Sequence, residues 1–393
     1  MKPPAIAPPK KARWSWRSQA FRGVVYQIVA LAVITLALWF LVHNTLTNMR
    51  VRGIQSGFDF LGQRAGFDIG EHLFPFDSAD SYWRAFLTGL VNTLRVAVVG
   101  IVLTTILGTA IGVGRFSRNG LVRGLCLGYV ELFRNIPVLI QLLMWYLLLT
   151  EVLPAISDAW EVGPFFLSKG GLSFPMPIWG TGQALAAIGL VVGIALVFSY
   201  RWWAGKRFDA TGKPPSIFLV PLAILIACTL LGWLIGGAPT AFDVPKRGDF
   251  AIENGGSLTP EFLAVLVGLT LYTASYVSEV VRGGIESVAR GQSEAAAALG
   301  LNRGQEMRLV MLPQAMRVII PPLTNQYLNL TKNSSLAVAV GYPDLVSIAN
   351  TAINQTGRAV ECISIVMLVY LATSLSTSAL MNWYNARAAI KER

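Results

Sequence analysis

Long apolar runs, separated by polar segments that gather lysine and arginine, dominate this chain of 393 residues. About 20 apolar residues in a helix cross the roughly 30 Å of bilayer hydrocarbon, and a helix satisfies its own backbone there. The pattern predicts about eight such helices, at 24–44, 86–113, 130–153, 182–200, 217–236, 261–281, 315–342 and 361–382. The expected fold class is therefore an all-α polytopic membrane protein. The first run lacks a small-residue cleavage site, so an uncleaved span is expected rather than a signal peptide.

The polar segments set the expected orientation. Residues 1–23 carry Lys2, Lys10, Lys11, Arg13, Arg17 and Arg22 without an acid, and Pro3, Pro4, Pro8 and Pro9 favour extended backbone there. Further basic residues fall on alternate loops: Arg115, Arg118 and Arg123; Arg201, Lys206, Arg207 and Lys213; Arg290, Arg303 and Arg308; Arg387, Lys391 and Arg393. Positive charge of this kind stays on the cytoplasmic side. The intervening segments hold Asp59, Asp68, Glu71, Asp77 and Asp80, then Asp243, Asp249 and Glu253. An even number of spans places both termini of a multi-pass chain on the same, cytoplasmic side. The resulting layout is a basic tail at 1–23, a periplasmic loop at 45–85 and a second tail at 383–393. Trp14, Trp16, Trp202, Trp203, Trp383 and Tyr384 fall at predicted interfaces as anchors in membrane lipid. Glycines four apart, Gly108 and Gly112, Gly189 and Gly193, Gly232 and Gly236, suit close helix contact.

Composition removes several alternatives. Apolar residues make up 54% and charged residues 13%, against about 25% charge in soluble domains. The net charge of +11 lies between apolar runs rather than in a patch, which fits a membrane and excludes nucleic acid. Cys126, Cys228 and Cys362 are scattered, and His43 and His72 stand alone, so no metal is assigned. The chain lacks a GxxxxGK[ST] phosphate loop and any catalytic constellation, so it is not expected to be an enzyme.

The longest inner connection, 283–314, reads GGIESVARGQSEAAAALGLNRGQEMRLVMLPQ. It is too polar to span and too rich in alanine and leucine to stay unfolded. Glu294 to Leu301 are strong helix formers closed by Gly300, the residue best suited to a left-handed turn. A second short helix is expected to start near Asn302 and end before Pro313.

Glu294, Ala295 and Ala296, then Gly300, then Val310, Met311, Leu312 and Pro313 resemble the EAA loop of ABC importer permeases. The usual isoleucine is replaced conservatively by Val310. The resemblance implies that Glu294, Ala295, Ala296, Gly300, Leu312 and Pro313 form a coupling helix docked in a separate ATP-binding cassette subunit. ATP and Mg would be held by that subunit, with no cofactor on this chain. RGGIESVARGQSEAAAALGL, LPQAMRVIIPPLTNQYLNLTKNSSL and YVELFRNIPVLIQLLMWY are similar to permeases of the histidine, glutamate and glutamine type. That family implies a type I importer core of five helices, so 86–382 is expected to be the permease domain. The span at 24–44 and the pair at about 182–236 are expected as additions. The longer layout resembles a permease of general L-amino-acid transporters, which implies a heterodimer with a second related permease and delivery by a periplasmic amino-acid-binding protein. The acidic first outer loop is a candidate contact for that protein.

Polar residues within spans carry further expectations, because such groups normally face protein or water. The seventh span contains Asn325, Gln326, Asn329, Thr331, Lys332, Asn333, Ser334 and Ser335, and Lys332 is a candidate partner for a substrate carboxylate. Tyr272, Ser275, Tyr276 and Ser278 of the sixth span are candidates for the same pathway. Glu279 with Arg282, and Glu131 with Arg134, are spaced three apart for pairing on one helix face. An ion-coupled secondary transporter is the rival class, but repeated halves and mid-membrane coupling carboxylates are not evident.

Overall fold

The computed structural model describes residues 16, 18–51, 53, 56–211, 216, 219–248 and 251–388. The segment 1–15, with Trp14, lies outside them, as do Arg17, Lys213, Asp249, Lys391 and Arg393 and the side chains of Arg303, Trp383, Tyr384 and Arg387.

The chain folds as helices α1 (Gln19–Val51), α2 (Tyr82–Gly114), α3 (Gly120–Asn135), α4 (Val138–Leu147), α5 (Thr181–Thr211), α6 (Leu219–Ile235), α7 (Pro260–Glu286), α8 (Arg290–Ala298), α9 (Arg303–Glu306), α10 (Leu312–Asn333), α11 (Leu345–Thr356) and α12 (Ala359–Ala388). Among the described residues five helices, α1, α2, α5, α7 and α12, are long and apolar enough to cross a membrane unbroken, and α6 is a shorter apolar helix. The two remaining spans are bent. α3 and α4 meet at 103°, and α10 meets α11 at 49° after the tight turn Ser334–Val340.

Local chemistry sets these boundaries. Ser81, Asn119, Thr259 and Asp344 cap α2, α3, α7 and α11 by accepting from backbone N–H groups of the first turn. The expected straight span at 130–153 breaks at Ile136, which is held extended by the following Pro137. The buried Gln141 amide donates to the carbonyls of Phe133 (2.9 Å) and Ile136 (2.8 Å) that the break releases. The second helix of the inner connection does not end before Pro313. It passes through a widened turn at Met307–Met311 into α10, where a proline in the first turn forfeits little hydrogen bonding.

Short strands fill the loops at the opposite end from α8. β1 (Trp160–Val162), β2 (Phe165–Ser168) and β3 (Gly171–Phe174) form a meander, with β4 (Met176–Pro177) following, then β5 (Phe242–Asp243), β6 (Lys246–Arg247), β7 (Ile252–Glu253) and β8 (Gly256–Leu258). The antiparallel order β1-β2-β3-β8 ties the loop after α4 to the start of α7, while β4 pairs β5 and β6 pairs β7.

The core forms around α7. Val96, Leu142, Phe262, Val265, Leu269 and Tyr342 join α2, α4 and α7, and Val277, Val281, Ile285, Ala315, Ile319 and Leu323 join α7 to α10. The expected closeness of Gly108 and Gly112 is used here: a Cβ on Gly108 would lie 2.6 Å from Val277, and one on Gly112 would lie 2.8 Å from the Ser278 carbonyl oxygen. α5 and α6 pack chiefly against each other.

Candidate functional site

The segment that follows α7 is the candidate coupling loop. α8 closes on Gly300, whose φ of +75° lies in the left-handed region. Its N–H donates to the Ala297 carbonyl (3.0 Å) and that of Leu301 to Ala296 (3.1 Å), the paired bonds of a glycine-terminated helix. The next helix starts with a reciprocal cap: Asn302 Oδ1 accepts from the Gln305 N–H (3.0 Å) and Gln305 Oε1 accepts from the Asn302 N–H (2.9 Å). Ser293 Oγ donates to Glu306 Oε1, and the Gln314 amide donates to Gln292 Oε1 at 3.1 Å. These bonds brace α8, α9 and the start of α10 as one unit. Ala296 is buried against it, while Glu294, Ala295 and Pro313 are exposed, Leu312 is half-buried, and Leu299 is 80% exposed. A rigid short helix presenting an uncovered leucine and alanines suits capture in another protein's cleft.

α7 and α10 border a half-open cavity of about 310 Å³ lined by Tyr272, Thr273, Tyr276, Gln326, Asn329 and Asn333. The buried Thr273 hydroxyl has no hydrogen-bond partner among the described residues. Of the expected pathway residues, Tyr272, Tyr276, Gln326, Asn329 and Asn333 line this space. Ser275 and Ser334 are buried and Ser335 half-buried, and their hydroxyls donate to the carbonyls of Tyr272, Thr331 and Lys332 within their own helices. Asn325, Asn329 and Lys332 share one exposed face of α10. No carboxylate of this chain pairs with Lys332 among the described residues. Thr273 was not singled out from the sequence because a threonine within a helix reads as an ordinary residue that bonds back to its own helix.

Charge collects on α7 below this cavity. Glu279 pairs with Arg282 (2.8 Å) on its own helix, with Arg115 (2.8 Å) after α2 and with Arg134 (3.4 Å) on α3. The expected pair of Glu131 with Arg134 is absent. Glu131 Oε2 accepts from the Asn135 amide at 3.2 Å, and Arg134 turns to α7, with its guanidinium 5.3 Å from the Tyr276 ring centroid. Two residues on adjacent turns of α3 pair only if nothing better lies across the interface, and the more deeply set Glu279 does.

At the opposite end, residues 56–81 are packed rather than free. Phe60, Ala65 and Ile69 enter a cluster with Phe86, Leu345 and Ile348. Glu71 pairs with Arg95 (2.6 Å) and accepts from the Thr259 hydroxyl, while Arg95 lies 4.3 Å from the centre of the Phe262 ring. Asp59 and Arg358 are joined side chain to side chain, and the guanidinium holds the Asp59 carboxyl below the usual carboxylate range. A cavity of about 420 Å³ lies beside this segment, lined by Asp68, Glu71, Glu261, Ser347 and Thr351 among others.

Known proteins place this geometry in context. The chain is 47% identical over 387 residues to the general L-amino acid transport system permease protein AapQ of Rhizobium johnstonii, covering 97% of this chain and 96% of that one. It is 43% identical to the putative amino-acid ABC transporter permease protein YhdX of Escherichia coli, with 98% of each chain covered. It is 39% identical to the glutamate/glutamine/aspartate/asparagine transport system permease protein BztB of Rhodobacter capsulatus, with 95% of each covered. Residues 100–390 match the binding-protein-dependent transport system inner membrane component family. A multi-pass chain with a braced helical loop and this match across most of its length belongs to that family of transport components.

Proposed function

We propose that this chain is the transmembrane permease subunit of an ATP-driven ABC importer that translocates L-amino acids, of broad polar range, delivered by a periplasmic binding protein. The observation that carries the reading is the braced α8–α9 unit, with Leu299 exposed at the tip of a glycine-closed helix. Its occupant is a cleft in a separate ATP-binding cassette subunit, which holds ATP and Mg. Closure of that subunit moves α8, and because α8, α9 and α10 are hydrogen-bonded together the motion reaches the cavity as a rigid-body shift. The similarity to named amino-acid permeases supports the substrate class.

The exposed face of α10 supports a second, related permease. Asn325, Asn329 and Lys332 would meet lipid in an isolated chain, and polar groups in hydrocarbon are costly enough to demand protein or water. A paired permease covers this face and completes the walls of the cavity. Tyr276 and Asn329, with Gln326 and Asn333 beside them, offer hydroxyl and amide groups to the polar part of an amino acid, and Lys332 offers a cation at the rim. The basic loops support a location in the bacterial inner membrane with the coupling unit and both termini on the cytoplasmic side.

Uptake into proteoliposomes containing the chain, its ATP-binding subunit, the second permease and a loaded binding protein tests this reading. Accumulation of labelled L-amino acids on ATP, without an ion gradient, is expected. Accumulation driven by a proton or sodium gradient in the absence of ATP would contradict it.

A further inference from the structure

Glu279 stands where three helices meet. Its carboxylate receives Arg115 from the end of α2, Arg134 from α3 and Arg282 from α7, at 2.8, 3.4 and 2.8 Å. Arg282 also pairs with Glu286 at the end of α7, and α8 begins at Arg290. In the other direction, Arg134 rests on the face of Tyr276, 5.3 Å from its centroid. The Tyr276 hydroxyl is 3.2 Å from that of Tyr272, and both rings line the 310 Å³ cavity. A series of contacts therefore runs from Glu286, the last residue of α7, through Arg282, Glu279 and Arg134 to the cavity wall, and the chain passes from Glu286 into α8 at Arg290.

The charges in this series are unequal. Three guanidinium groups face two carboxylates, and only Glu279 touches all three cations. Arg115 is the most enclosed, with 11% of its side chain exposed, whereas Arg134 is 40% exposed. Arg134 also makes the longest of the three contacts. The geometry makes Arg115 and Arg282 the fixed holds on Glu279 and Arg134 the one that yields first when α7 moves.

We infer that Glu279 is a positioning residue for transport: it holds Arg134 against Tyr276 and so ties the shape of the α7–α10 cavity to the position of the coupling unit. The inference rests on the transport reading above and adds the joint between its two parts. When α8 is displaced, the end of α7 carries Glu279 away from α3, Arg134 leaves Tyr276, and the cavity wall on that side is released. Loss of the central carboxylate leaves three cations in a half-enclosed site, which drives α2, α3 and α7 apart and disconnects the cavity from the loop.

The test uses the complete transporter in proteoliposomes and reads amino-acid uptake per ATP hydrolysed. Glu279→Gln is expected to lower that ratio by about tenfold, within the range typical of coupling between two sites, while ATP hydrolysis and co-purification with the ATP-binding subunit persist. Arg134→Gln, at the more exposed position, is expected to lower it similarly. The double variant should be no worse than Glu279→Gln alone, because Arg134 acts through Glu279. Glu279→Asp should restore part of the ratio, which a purely space-filling role would not explain. A wild-type ratio in Glu279→Gln, or losses that multiply in the double variant, would overturn the inference. If Glu279→Gln fails to assemble, Arg134→Gln decides alone, and its wild-type ratio would overturn the inference equally. A wild-type transporter that shows no ATP-dependent uptake would contradict the transport reading instead.

Discussion

α2 with α7, and α5 with α6, are joined by the same device and do different things. In both pairs glycines four apart bring two helices into backbone contact. Gly108 and Gly112 admit Val277, Ser278 and Val281 of α7; a Cβ on Gly189 would lie 2.3 Å from the Cys228 carbonyl oxygen, and one on Gly232 would lie 2.2 Å from that of Leu185. Yet 67% of the apolar stretch of α7 is buried, against 11% for α5. The distinction lies in polar content. α7 and α10 carry Thr273, Tyr276, Gln326 and Asn329, which need protein or water around them, so further helices gather on α7. α6 carries no charged residue, and lipid solvates it once its glycines are covered. Glycine spacing thus reports closeness, whereas buried polar groups report the working part of the molecule.

The largest expected effect would break this comparison directly. Gly112→Val drives a side chain into Ser278 and Val281, an overpacking that costs about 1–3 kcal/mol or more in a rigid core. The purified transporter should lose thermal stability and uptake together. Gly232→Val clashes at least as severely with Leu185, but is expected to splay only the α5–α6 hairpin. Co-purification with the ATP-binding subunit and ATP-driven uptake should remain near wild type, as measured by pull-down and transport assay. The reverse ranking would mean that the hairpin, not the α2–α7 pair, supports transport.

A smaller effect sharpens the polar side of the comparison. Asn329→Leu removes an amide from the cavity, and loss of one hydrogen bond to substrate, about 1 kcal/mol, should raise the KM for uptake several-fold with assembly intact. Lys332→Met should also weaken transport without releasing the partner subunits. Unchanged uptake kinetics for both would remove the α10 face from the pathway.

The smallest effect concerns the packed outer segment. Because Arg358 holds the Asp59 carboxyl below its ordinary range, this pair contributes stability that is full above the unfolded carboxylate pKa of about 3.9. It is lost as pH falls through the lower folded value. Hydrogen exchange across residues 56–81 should therefore quicken only under strongly acidic conditions, and Asp59→Asn should show the quickened exchange already at neutral pH.

Much of this arrangement was legible in advance because long apolar runs leave few alternatives to a helix in lipid. The spans at α2, α5 and α7 and the glycine turn at Gly300 rest on strong local signals. The right-angle break between α3 and α4 had its signal in Pro137, but the apolar run continues through it, and hydropathy is blind to direction. α11 escaped notice because its twelve residues mix Asn, Thr and Ser with a buried stripe of Leu345, Ile348, Ala349 and Ala352. The bonds of Glu71 to Arg95 and of Glu279 to Arg134 join residues far apart in the chain. Spacing rules reach only neighbours on one helix, so they offered Glu131 instead. Likewise, Asn325 and Lys332 looked equivalent to Asn329 by composition, and only the packing of α10 separates the rim from the cavity.

Hydrolysis of ATP by the purified complex, reconstituted with Gly300 or with Gly300→Trp, tests the central claim most directly. Nothing lies within 4 Å of the Gly300 Cβ position, so the substitution leaves the core packing untouched; its φ of +75° makes any side chain there strain the turn that closes α8, which puts the change at the tip of the coupling unit. The account predicts that an ATP-binding subunit co-purifies with the wild-type chain and that Gly300→Trp releases it or uncouples its hydrolysis from uptake. An isolated chain that transports on an ion gradient alone, indifferent to Gly300→Trp, would contradict it.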